Sequence, residues 1–230
     1  MFTRFSGIAA VALSMLTMIA VKPVSAQTIF NASIDTSSLV GDPSGPFYLD
    51  FQLTDGSGTN DANNLITITG LNFGVAGGAL GTETLSGGAT GSLSSTITLT
   101  DSSFFNELYQ PFTPGSLLSF QISLTGGVDG GLQPDEFTFA ILTGSLNTIE
   151  TSDPGGALFF VDLDTTNVVH TFAAQAPYSQ LGSPTVNPQA SSVPEAGSAG
   201  LVAGCIMVGL SFLTRQRRGR ARQGANLRRE

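Results

Sequence analysis

The sequence predicts an all-β domain, a two-layer antiparallel β-sandwich of jelly-roll type, set between two membrane-directed ends. Three observations predict it. Short runs rich in Thr, Ile, Val and Phe alternate apolar and polar residues, the period of a half-buried strand. Turn-forming residues separate these runs, drawn from 28 Gly and 11 Pro in 230 residues and from many Asn and Asp. No long 3.6-residue periodicity occurs before the C-terminal tail. An up-and-down barrel is the alternative closure of the same strands.

The strands follow in chain order. TIFNASIDT alternates from Thr28. In PFYLDFQLTD, Phe47, Leu49, Phe51 and Leu53 share one face, and Tyr48, Asp50, Gln52 and Thr54 share the other. NLITITGLNFG, GSLSSTITLTD, SLLSFQISLTG, DEFTFAILTG, ALFFVDLD and NVVHTFAA continue the series, and TDSSFFNELYQPF holds either a short strand or one helical turn. Turn chemistry lies between them at Asp42-Pro43-Ser44-Gly45, Asp55-Gly56-Ser57-Gly58, Thr113-Pro114-Gly115 and Asp153-Pro154-Gly155-Gly156. The domain is expected over residues 27–173. Residues 174–192, uncharged and rich in Pro, Ser, Gln and Ala, read as a flexible spacer.

Charge is strongly segregated. Arg4 and Lys22 are the only basic residues before Arg215, and the other seven of nine follow the apolar run near the C-terminus. Two of the 17 acids, Glu195 and Glu230, lie outside residues 27–192, which leaves 15 acids and no Lys or Arg within that segment. Nucleic acid is excluded as a partner of such a surface, because phosphate contacts need Lys or Arg. Its carboxylates must be solvated, hydrogen-bonded to N–H groups or bound to cations.

Both ends carry targeting chemistry. Arg4 precedes an apolar stretch over residues 7–21, and Val24-Ser25-Ala26 supplies the small residue before a cut, so residues 1–26 read as a signal peptide cleaved between Ala26 and Gln27. An uncleaved signal anchor is the other reading of this N-terminal helix. Residues 196–214 are uncharged and close to the roughly 20 apolar residues that a spanning helix needs. Five arginines stop transfer behind this predicted transmembrane helix: Arg215, Arg217, Arg218, Arg220 and Arg222. The positive-inside rule puts residues 223–230 in the cytoplasm and the β-domain on the far side. Cys205, the single cysteine, falls within the run and reads as a small apolar helix residue.

Val193-Pro194-Glu195, the glycine-rich span and the immediate arginine cluster resemble the PEP-CTERM sorting signal of Gram-negative bacteria, over residues 193–222. Ala196-Gly197-Ser198 stands where that signal usually continues with a second Pro and small hydroxyl residues. The resemblance implies recognition of Val193, Pro194 and Glu195 by exosortase, a membrane-embedded transpeptidase, after export by the secretion machinery. It also implies a cell-surface or matrix destination in an exopolysaccharide or biofilm setting. Much of residues 31–172 resembles a β-rich family that carries this tail and has no assigned activity.

Catalytic chemistry is sparse. The β-domain holds one histidine, His170, with no Lys, Arg or Cys, so Ser/His/Asp and Cys/His constellations lack their parts. Paired carboxylates of glycosidase type reduce to Asp135–Glu136 and Asp162/Asp164, where spacing alone is a weak signal. The expectation is therefore a non-enzymatic protein without a required cofactor. Calcium is the one metal candidate, since it takes hard oxygen ligands: Asp55 and Asp61 lie in DGSGTNDANN, and Asp129, Asp135 and Glu136 in DGGLQPDE. Carbohydrate is the other candidate ligand, although without Trp and with three Tyr the aromatic stacking platform is thin.

Overall fold

A computed structural model describes residues 27–56, 63–126 and 133–189. The segments read above as signal peptide, sorting motif, membrane span, arginine cluster and tail lie outside them, as do Asp61 and Asp129. Among the described residues no helix is long and apolar enough to cross a membrane.

The described chain is all-β. Its strands are β1 (Thr28–Ile34), β2 (Phe47–Thr54), β3 (Asn64–Asn72), β4 (Gly78–Ala79), β5 (Thr84–Ser86), β6 (Ile97–Thr100) and β7 (Phe105–Thr113). They continue with β8 (Leu118–Gly126), β9 (Asp135–Leu142), β10 (Phe159–Leu163), β11 (Val169–Thr171) and β12 (Thr185–Gln189). Two antiparallel sheets result. A five-stranded sheet has the order β12-β1-β8-β3-β6, and a seven-stranded sheet has the order β11-β10-β9-β2-β7-β4 with β5 also on β7. The stretch left open between strand and helical turn is β7, a full nine-residue strand registered along all of β2.

Alternation is obeyed where it matters. Phe47, Leu49, Phe51 and Leu53 of β2 are at most 1% exposed. The apolar faces of both sheets join in one core cluster. Phe120 of β8 links them: its ring centroid lies 5.4 Å from Phe51, 5.1 Å from Phe139 and 6.3 Å from Phe159, all of the other sheet. Edge-on and tilted ring pairs of this kind add to the burial of each aromatic.

The expected spacer is corrected in its first part. Tyr178 is buried and meets Phe47 edge-on at 6.2 Å, and Leu181 is 3% exposed. Residues 185–189 then pair with β1 as β12, Ile29 opposite Gln189 and Ser33 opposite Thr185. Pro188 within it, Pro184 just before it and a polar composition hide this strand from a pattern reading. An edge strand nevertheless tolerates Pro188, because one side of its backbone needs no partner.

Phe120→Ala is expected to cost about 3–5 kcal/mol in urea unfolding, the scale for emptying an aromatic site in a core. Phe104→Ala, at a position 60% exposed, is the matched control and should stay within about 0.5 kcal/mol.

Candidate functional site

Buried and titratable polar groups gather in two places. The first is the end of the molecule where β2 stops, β3 starts, β6 stops and β9 starts. Asp55, Asp101 and Asp135 are buried there at 1%, 0% and 1% exposure, and Asn64 at 5%. Asp135 accepts from the Gly56 N–H at 2.8 Å and from Asn64 Nδ2 at 2.8 Å. Asp101 Oδ2 accepts from the backbone N–H groups of Asn63 and Asn64, at 2.9 and 2.8 Å. The Asn64–Asp135 bond joins a strand of one sheet to a strand of the other. Glycine is required beside it: a Cβ at Gly126 would collide with the Asn64 side chain, and one at Gly56 with the Pro134 carbonyl.

Asn106 of β7, opposite Leu53 near the end of β2, is fully buried and makes a separate set of bonds. Its Nδ2 donates to the Leu53 and Ser103 carbonyls at 3.2 and 2.6 Å, and its Oδ1 accepts from the Gly88 N–H at 2.7 Å.

Of the calcium candidates, Asp55 and Asp135 are brought to this one end. Glu136 is not: the pleat turns it to the opposite face from Asp135, beside Asp162 on β10, where its Oε1 accepts from Thr138 Oγ1 at 2.8 Å. Asp101 and Asn64 are the members that sequence reasoning missed; a lone Asp closing a TITLTD run carries no spacing signal. Among the described residues no group of three His, Cys, Asp or Glu side chains is arranged to hold a metal ion.

The second place is the outer face of the seven-stranded sheet. Asp50, on β2, is 1% exposed although it points away from the core. Gln52 Nε2 donates to Asp50 Oδ2 at 2.6 Å and reaches Glu107 Oε1 at 3.5 Å, so one amide spans two carboxylates. Asp50 Oδ1 has no hydrogen-bond partner among the described residues. Tyr109 sits opposite Asp50, and its ring meets Tyr48 at 6.1 Å. Desolvation first and the Glu107 charge second push the Asp50 carboxyl up to about 7, against a smaller opposing effect of the Gln52 bond. Burial also raises Glu107.

Further across this face His170 stacks on Phe160 at 4.6 Å, and its Nε2 lies 3.2 Å from Asp162 Oδ2. The paired-carboxylate candidates do not converge. Asp135 is buried and Glu136 faces outward, whereas Asp164 lies beyond the end of β10 and accepts from Thr166 N–H and Asn167 N–H of its own turn. Hydrogen bonds from the Thr166 hydroxyl and from that turn's backbone hold its carboxyl below the usual range.

Comparison with known proteins returns no family model, no curated relative and no solved structure that matches this chain.

The Asp50 site gives a signed pH dependence. The folded state holds a proton up to about pH 7 that the unfolded state releases near 3.8, so stability is greatest below the lower value and falls as pH rises between the two. The loss should approach about 4 kcal/mol by pH 8, because each tenfold difference in proton affinity between the two states is worth about 1.36 kcal/mol. Asp50→Asn, read by urea unfolding at several pH values, should remove most of that slope and be the more stable form at pH 8.

Proposed function

We propose that this chain is an exported, non-enzymatic protein of a bacterial surface or extracellular matrix, its two sheets packed as a jelly-roll-like sandwich. The observation that carries the reading is charge segregation: the folded residues contain no Lys or Arg, while basic residues sit only beside the two apolar end segments. A domain of this kind is kept soluble and apart from its copies by its own negative charge. The layout of both ends supports delivery by a signal peptide and handling at Val193-Pro194-Glu195 by an exosortase-type transpeptidase, after a single-pass membrane stage. The buried polar sites are structural in this reading. Asp135 and Asp101 close one end of the core, and Asp50 is held by Gln52.

Intact mass and membrane fractionation of the chain made in an exosortase-bearing host test the sorting step. A mature species starting near Gln27 and ending near Glu195 is expected. A membrane-held species that retains residues 215–230 would overturn sorting and leave a plain anchor.

A second reading, a calcium-binding module, is favoured by the burial of Asp55, Asp101 and Asp135 at the end from which both candidate loops leave. On that reading millimolar CaCl2 raises the melting temperature at constant ionic strength and EDTA reverses the rise. An unchanged melting temperature sinks it.

A further inference from the structure

The five strands of the smaller sheet contain no charged residue at all, in a domain segment that holds 15 acids. Their outward positions are mainly amides and hydroxyls. One row across the sheet is set by register: Asn187 opposite Asn31, Asn31 opposite Gln121, and Gln121 opposite Thr69. The neighbouring row runs Gln189, Ile29, Ser123, Thr67 and Thr98. Gln121 Nε2 is shared between Asn31 Oδ1 and Gln189 Oε1, both at 3.4 Å, so its amide is loosely held.

This face is not flat. The β3–β8 register shifts between Thr69 and Asn72, and the β3–β6 pairing ends at Ile68. Gly70 takes a positive φ of 65° at that break, with open space where a Cβ would stand. Two open grooves meet at Gly70. One, of about 330 Å³, is lined by Asn31, Ser33, Ser119, Gln121 and Asn187. The other, of about 510 Å³, is lined by Thr69, Phe73, Ser94, Ser95 and Thr96. Both fall in the range of small-molecule sites.

We propose that this groove holds a segment of an uncharged polysaccharide, whose hydroxyls bond to the side-chain amides of Asn31, Gln121 and Asn187 and to the flanking Ser and Thr hydroxyls. The lining chemistry selects the class. Amides and hydroxyls both donate and accept, as sugar hydroxyls do. An acidic polymer meets a domain with 15 carboxylates and no base to pair with. A cationic ligand is drawn to the acid-bearing sheet instead. Leu71, Phe73, Ala79 and Leu93 also line the larger groove and suit the C–H faces of sugar rings; a second copy of the chain is the competing occupant and an outcome of the test. The proposal draws on the exported-protein reading only for access to such polymers; the binding chemistry stands on the groove.

The test is affinity electrophoresis of the full-length chain in detergent, through gels containing dextran, pullulan, galactomannan or mixed-linkage β-glucan, with alginate as the acidic polymer. Retardation by at least one neutral polymer is expected, and it should be insensitive to added NaCl. Asn31→Ala combined with Gln121→Ala should weaken it roughly tenfold, the scale of one or two lost hydrogen bonds. Gln121→Glu, which keeps the shape, should weaken it as well, and Glu150→Gln, exposed and away from the groove, should not. Melting temperatures near that of the unaltered chain establish that the variants fold. No retardation in any neutral gel overturns the proposal, and so does retardation by alginate alone or retardation that survives both groove variants. A change of oligomeric state with the groove variants and no effect in the gels overturns it in favour of self-association. Failure of sorting is read separately, by mass and fractionation, and leaves these gel outcomes intact.

Discussion

The absence of any Lys or Arg between Lys22 and Arg215 governs how this molecule handles its buried acids. A carboxylate removed from water costs several kcal/mol unless something replaces its hydration. With no ammonium or guanidinium available, that role falls to N–H donors of neutral groups. Asp135 takes one from the Gly56 backbone and one from the Asn64 amide, and Asp101 takes two consecutive backbone donors at Asn63 and Asn64. Asn64 is thus the hinge of the arrangement, donating from its backbone to one aspartate and from its side chain to another. Because Asp135 starts a strand of one sheet and Asn64 starts a strand of the other, satisfying the acid also fixes how the sheets meet at that end. Two glycines, Gly56 and Gly126, leave the room that the approach needs.

Asp50 shows what happens where that supply is short. It has one strong donor, from Gln52, and a like charge close by on Glu107. The carboxyl answers by holding its proton toward neutrality rather than by staying ionised. Two acids buried to the same degree have different donor sets. Asp135 is served on both oxygens, whereas Asp50 is served on one.

The sequence carried the core well and the polar sites poorly, for physical reasons. Phe47 through Leu53 alternate cleanly, and every apolar member of that alternation is buried, because a strand packed on one side writes its burial with period two. The same rule separates Asp135 from Glu136, which their adjacency in the chain had made look like a pair. Asp101 and Asn64 were invisible, since they meet only through the pairing of β3 with β6 and β8, a long-range fact. The strand β12 was invisible for another reason. It lies at a sheet edge with a mostly exposed face, so its composition is set by solvent and by Pro188 rather than by the core. Its partner β1 was legible because its inner positions Phe30, Ala32 and Ile34 are buried. β4 and β5, of two and three residues, are too short to have any period.

Charge is divided between the sheets as sharply as it is along the chain. Asp50, Glu107, Asp135, Glu136 and Asp162, with His170, all lie on strands of the seven-stranded sheet, and the five-stranded sheet has none. A like-charged surface repels its own copies and any polyanion at distances up to a Debye length of about 8 Å in physiological salt. A neutral face on the same body lacks that barrier, so whatever approaches an acid-only domain closely without a cation meets least resistance there. The bulge at Gly70 gives that face a groove rather than a plane, and the amide row of Asn187, Asn31 and Gln121 gives the groove directional donors and acceptors. Charge segregation in the chain, strand order in the sheets and one positive-φ glycine converge on the same surface, although no one of them marks it alone.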